Sequence, residues 1–302
     1  MITALFPGQN SQAIGMAKDF YEHSSAAKSL LDKAEATLPG LLDMMWQGPD
    51  DVLKLTKNQQ PALVAAGVAA FAAYKEAGGA LPNYAAGHSL GEFSAHVAAG
   101  SLTFEDALTL VRKRGQYMQE AVPEAVGAMA AVLKVEREVV EAVCKQTEGI
   151  VEIANLNSPQ QTVISGEAVA VGEASERLKE AKARVIPLKV SAPFHCQLMK
   201  PAAEQLAHDL GSVSFSTPSI PVVCNVTAIV VEDSRAIADL LKQQVTAPVR
   251  WVESIQKLHA LGTTRFLEFG SGKVLTGLIG RILEDAEAHA ITDMASLDKA
   301  LS

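Results

Sequence analysis

The sequence predicts an α/β protein in two parts: a larger domain with a mainly parallel sheet and helices on both faces, and a smaller βαββαβ unit inserted into it. Three observations carry this prediction. Ile2, Thr3, Ala4, Leu5 and Phe6 form an apolar run beside Met1, the pattern of a strand buried on both faces. Tyr84, Ala85 and Ala86 form a second short stretch that runs into Gly87-His88-Ser89-Leu90-Gly91 and then into a helix-like segment. Between Pro123 and Pro193 the hydrophobic period switches between two and 3.6 several times, marking the insert.

Each element has its own justification. The first strand opens into the loop Pro7-Gly8-Gln9-Asn10-Ser11-Gln12. The mostly apolar run 61–74 begins with a proline suited to a first helical position and is too short to span a bilayer, so it reads as a buried helix. Thr103-Phe104-Glu105-Asp106 resembles a capping box and opens a helix that continues through Val111, Arg114 and Met118 toward Pro123. The insert then reads as strand 127–133, helix 136–146, strands 150–155 and 161–165 about the turn Asn157-Ser158-Pro159, helix 169–181 and strand 184–189. That order is ferredoxin-like. The larger domain is expected over 1–124 and 191–302, similar to α/β hydrolases, and the ferredoxin-like insert over 125–190.

Composition narrows the function classes. The 302 residues can bury a sizeable core, 48% are apolar and only 5% are aromatic. A net charge of −8 argues against nucleic acid as a partner. No segment reads as a signal peptide or membrane span, and three cysteines without C-x-x-C spacing point to a reducing, cytoplasmic setting. Gly270-Ser271-Gly272-Lys273 is not a phosphate loop, because Val274 stands where Ser or Thr is required.

The pentapeptide at 87–91 reads G-x-S-x-G. Placed between strand and helix, it is either a nucleophile elbow presenting the Ser89 hydroxyl or an ordinary glycine-rich turn. A serine nucleophile needs a base and donors for an oxyanion. His88 should diverge from Ser89 and serve positioning or packing. His23, His208, His259 and His289 lie in polar segments, and His96 sits on the following helix. His195 instead lies in a loop between Phe194 and Cys196, where a strand gives way to a helix, and is the candidate base. The N–H groups of Leu90 and Gln9 are candidate oxyanion donors. On the helix after Thr103, Arg114 is the one charge on the stripe Ala107, Leu110, Val111, Met118, Ala121. It demands an internal salt bridge, with Glu92 as one choice, a snorkelling path to the surface, or a carboxylate on a ligand.

Ordered motifs span the chain: F-P-G-Q-x-S-Q at 6–12, Gln60-Pro61-Ala62, A-G-H-S-L-G-E at 86–92, R-G-x-x-M-Q-E-A at 114–121, G-A-M-A-A at 127–131, N-S-P at 157–159, H-C-x-L-M-K-P-A at 195–202 and G-K-V-L-T-G-L at 272–278. Through them the chain resembles the malonyl-CoA:acyl carrier protein transacylase family of type II fatty acid synthesis. The resemblance implies Ser89 as acylated nucleophile, His195 as base, and Gln9 and Leu90 as the oxyanion hole. It implies Arg114 as the clamp for the malonyl carboxylate, with His88 and Phe194 also lining the substrate site, and a backbone carbonyl at Gln244 orienting the base. Phe194 matches acyltransferases that accept malonyl rather than methylmalonyl groups. The partners implied are malonyl-CoA and acyl carrier protein, with Lys189, Lys200 and Arg250 as candidate docking cations, and no metal or redox cofactor. Two positions depart from the family pattern: Asn10 replaces a glycine, tolerable even at φ > 0, and Ser271 replaces a proline. The alternative from the same dyad is a serine thioesterase or esterase, which has no need of a buried arginine.

Overall fold

The computed structural model describes residues 1–123, 125–190 and 192–302; Glu124 and Ser191, the expected ends of the larger domain's two segments, lie outside the described residues. In chain order the strands are β1 (Ile2–Phe6), β2 (Tyr84–Gly87), β3 (Gly127–Leu133), β4 (Val151–Ser158), β5 (Gln161–Glu167), β6 (Arg184–Pro187), β7 (Val222–Val223), β8 (Val230–Val231), β9 (Arg265–Phe269) and β10 (Glu287–Ile291). They form two sheets, ordered β10-β9-β1-β2-β7-β8 and β4-β5-β3-β6. The chain is therefore an α/β protein with a largely parallel sheet, its edge strand β8 antiparallel, and a separate antiparallel sheet.

β1 is central, parallel to both β2 and β9, and its Ala4, Leu5 and Phe6 are wholly buried. Phe6 meets Phe71 and Phe269 at ring centroid distances of 6.0 and 5.9 Å, so the long helix Thr56–Glu76 is pinned across the sheet. Pro61 is inside that helix rather than at its first position. A proline there leaves the carbonyl four residues back, Lys57 O, without its helical donor, and the guanidinium of Arg112 supplies the bond at 3.0 Å. The tertiary partner is what lets the helix begin a turn earlier than the proline suggests.

In the small sheet, alternation sorts the side chains. Ala130 and Val132 of β3 join Val140, Val171 and Leu178 of the helices Arg137–Gln146 and Ala168–Glu180 in a separate core, while Met129 and Ala131 face the main one. β4 runs through Ser158, so the hairpin turn is Pro159-Gln160 and not 157–159, and β6 ends at Pro187 rather than at 189. β4 has two register shifts and also forms an isolated bridge outside its own sheet, where Leu156 N–H donates to Val249 O and Val249 N–H to Ala154 O, both at 2.9 Å. Among the described residues, no helix is long and apolar enough to cross a membrane.

Candidate active site

β2 ends at Gly87, and the chain turns through His88, Ser89 and Leu90 into the helix Gly91–Ala98. Both glycines are forced by close approach: a Cβ on Gly87 would lie 1.9 Å from Gly91 C, and one on Gly91 would lie 2.0 Å from Phe6 O. Ser89 adopts φ +51°, a costly conformation for a residue with a side chain. It is held by Ser89 N–H donating to Asn225 Oδ1 at 2.7 Å, while Asn225 Nδ2 donates to Gly87 O at 2.7 Å. One asparagine, 136 residues away in sequence, ties both sides of the turn.

His195 meets Ser89: Nε2 lies 2.8 Å from Oγ. Its Nδ1 faces two carbonyl oxygens, Gln244 O at 2.8 Å and Ala247 O at 3.2 Å, so Nδ1 carries the proton and Nε2 is free to accept one. Burial, aided by the charge of Arg114, pushes the imidazole down to about 3 against the pull of those carbonyls. The ring is thus a neutral base throughout the ordinary pH range.

Arg114 is wholly buried, which removes the snorkelling option, and it makes no ion pair among the described residues. It donates to three neutral acceptors: Gln60 Oε1 at 2.9 Å, Gln244 Oε1 at 3.0 Å and Ser89 Oγ at 3.2 Å. Its Nε has no partner among the described residues. Glu92 is not bonded to it; the carboxylate accepts instead from Gln244 Nε2 at 2.7 Å and Asn225 N at 3.0 Å. Burial pushes Arg114 down to about 10 and Glu92 up to about 7, each partly offset by the other's charge or by hydrogen bonds.

Ser89 and His195 open into a cavity of about 470 Å³ between the two sheets, bordered by Gln9, His88, Met129 and Phe194. The N–H groups of Gln9 and Leu90 donate to no acceptor among the described residues, and Gln9 is steadied by Nε2 donating to Gln59 Oε1 at 2.9 Å. Asn10 does take φ +70°. Although His88 is next to Ser89, it borders the same cavity, its ring held by Asn157 Oδ1 at 2.8 Å and Trp251 at a centroid distance of 5.4 Å. The candidate docking cations separate: Lys189 borders this cavity, Arg250 lines a second cleft that also touches His195, and Lys200 is exposed beside Glu204. Gln60 and Asn157 stood in motifs without a role, Glu92 was expected only as an ion-pair choice for Arg114, and Asn225 stood in no motif.

A buried serine and histidine in hydrogen-bond contact, beside a buried arginine that makes no ion pair among the described residues, make up a site suited to acyl transfer. Residues 3–297 match the acyl transferase domain family, and the chain belongs to it. Over its length it is similar to the malonyl CoA-acyl carrier protein transacylases of Bacillus subtilis (47% identical, covering 99% of this chain and 96% of that one) and Escherichia coli K12 (42%, 98% and 97%). Its fold is similar to that of an acyl carrier protein S-malonyltransferase from Vibrio cholerae, with a TM-score of 0.97 at 43% identity, covering 99% of each chain. A malonyl-transacylase solved in complex with a type II polyketide synthase acyl-carrier protein is equally similar, with a TM-score of 0.96 at 43% identity, covering 99% of this chain and 98% of that one.

Proposed function

We propose that the protein transfers the malonyl group of malonyl-CoA to the phosphopantetheine thiol of an acyl carrier protein, through a malonyl-serine intermediate, in fatty acid synthesis. The observation that carries this reading is Arg114, buried, without a carboxylate and 3.2 Å from Ser89 Oγ. His195 Nε2 takes the Ser89 proton as Oγ attacks the thioester carbonyl. Leu90 and Gln9 N–H groups hold the oxyanion of the tetrahedral intermediate; the coenzyme A thiolate then leaves with the proton from Nε2. Arg114 pairs with the free malonyl carboxylate through both arms of its fork. The carrier thiol repeats the sequence in reverse.

Phe194 and His88 border the acyl chamber, with the Phe194 ring crowding an α-methyl group. The Gln244 carbonyl orients the base. The division into a larger α/β-hydrolase-like domain (1–124 and 191–302) and a ferredoxin-like insert (125–190) is supported by the two sheets and puts the cavity in the crevice between them. Lys189, at the cavity, is the docking cation best placed for the carrier, ahead of Arg250 and Lys200. The unpaired cysteines Cys144, Cys196 and Cys224 support a cytoplasmic setting.

Intact-protein mass spectrometry after brief exposure to malonyl-CoA tests the reading. A single malonyl adduct, absent with Ser89→Ala and with acetyl-CoA, is expected. Release of coenzyme A with no adduct would move the protein to the thioesterase or esterase class.

A further inference from the structure

Glu92 is wholly buried in the first turn of the helix after the elbow, and the transfer steps above do not use it. Its Oε2 accepts two hydrogen bonds, and its Oε1 has no partner among the described residues. Between this carboxylate and Arg114 stands the carboxamide of Gln244. Its Nε2 donates to Glu92 Oε2 at 2.7 Å and to Ser89 O at 2.9 Å, and its Oε1 accepts from Arg114 Nη2 at 3.0 Å. Turned over, the same carboxamide would set its NH2 against the guanidinium, donor to donor, and its oxygen against the carboxylate and the Ser89 carbonyl. An ionised Glu92, which can only accept, therefore adds its bias to those of Arg114, the Ser89 carbonyl and Asn225 Oδ1, 3.3 Å from Nε2, over which way Gln244 faces.

A direct ion pair would answer Arg114's charge more strongly, but it would fill the guanidinium fork that a substrate carboxylate needs. A carboxylate one amide removed supplies countercharge and leaves Arg114 bonded only to neutral acceptors, which a substrate carboxylate can displace. We infer that Glu92 is a positioning residue which, through the Gln244 carboxamide, holds Arg114 against Ser89 for an acyl group bearing its own carboxylate. This rests on the malonyl-transfer reading and deepens it. Protonated Glu92 gains an O–H donor and loses its bias over Gln244. Burial brings that event to about 7; Arg114, Gln244, Asn225 and Cys224 are the charged and polar groups around it.

The test follows acylation by malonyl-CoA and labelling by an uncharged fluorophosphonate, in wild type, Glu92→Gln and Glu92→Asp, between about pH 5.5 and 8.5. Glu92→Gln should raise KM for malonyl-CoA about tenfold, with kcat changed less than about threefold, as expected for one charge-assisted hydrogen bond lost. In wild type, kcat/KM for malonyl-CoA should fall as pH drops through about 7 while labelling holds level; in Glu92→Gln that acid limb should vanish. Glu92→Asp, which keeps the charge but draws it back, should raise KM and retain the limb, and it serves if the glutamine variant does not fold. Equal losses in both reactions would show that Glu92 only builds the elbow, and an acid limb surviving in Glu92→Gln would place the titration elsewhere; either overturns the inference. A wild type labelled by fluorophosphonate but not acylated by malonyl-CoA would instead sink the parent reading.

Discussion

Removing Arg114 takes away a charge that the interior has already been built to tolerate, since three neutral oxygens and an indirect carboxylate surround it. Its loss should fall on substrates that bring the missing anion. Arg114→Ala is expected to cost malonyl-CoA about 2–5 kcal/mol in kcat/KM, about 1.5 to 3.7 orders of magnitude, and to erase the preference for malonyl-CoA over acetyl-CoA. Steady-state kinetics with the two thioesters check this, and a preserved preference would count against the clamp. His195 yields a second prediction at this scale. Its imidazole acts as a base only when neutral, and burial holds its pKa near 3, so labelling by an uncharged serine reagent should stay level from about pH 8 to 5 and fall only below that. An acid limb at the usual histidine value in that reaction would mean the ring is more solvated than its buried position allows. Ser89, His195 and Arg114 were legible because each broke a local pattern: a turn motif, a loop histidine, a charge on an apolar stripe. Asn225 was not, because a carboxamide that reaches across 136 residues to a backbone N–H leaves no periodic trace in its own neighbourhood.

Elements follow local rules until a tertiary partner overrides them. The helix Phe104–Glu120 keeps its sequence signal, with Thr103 Oγ1 accepting from Asp106 N at 3.2 Å, and Thr103→Ala should cost about 1 kcal/mol in a denaturant titration. The helix Thr56–Glu76 departs from its signal because Arg112 answers the carbonyl orphaned by Pro61, a bond no reading of that segment alone contains. β4 likewise runs past the asparagine expected in a turn, since Asn157 is needed in extended backbone where it bonds His88. The elbow shows the opposite case, where spacing was sufficient. Gly87 and Gly91 are required because backbone from β1 and the following helix lies where their Cβ atoms would be. Gly91→Ala should push the helix off Phe6 and lower acylation by at least about a hundredfold while circular dichroism keeps its helical content, the misplacement of a nucleophile by about an ångström. Retained activity would show the helix can yield.

At the scale of the whole molecule, the site's buried ionisable groups couple stability to pH in two opposing directions. His96 is fully buried with Nδ1 beside Ser101 Oγ at 2.9 Å and Nε2 without a partner among the described residues, and burial pushes it down to about 4; His195 falls to about 3, and His88 falls as well. For a depressed histidine the unfolded chain holds the proton and the folded one does not, between the folded pKa and about 6.5, so stability is lost as pH falls through that window. Glu92, raised to about 7, and Glu268, also raised by burial, act with the opposite sign: the folded state holds their protons, and stability is lost as pH rises from their ordinary value toward the folded one. The depressed histidines withdraw stability as pH falls below about 6.5, and Glu92 withdraws it as pH rises toward about 7, so the two opposing effects meet near neutrality. His96→Gln isolates one part of this sum, because every other group cancels in the comparison. The wild type's stability relative to the variant should decline as pH drops from about 6.5 to 4, by up to about 1.4 kcal/mol per unit, the signature of one proton taken up on unfolding. Urea titrations at several pH values measure that difference, and a difference independent of pH would show that His96 accepts its proton in the folded protein without penalty.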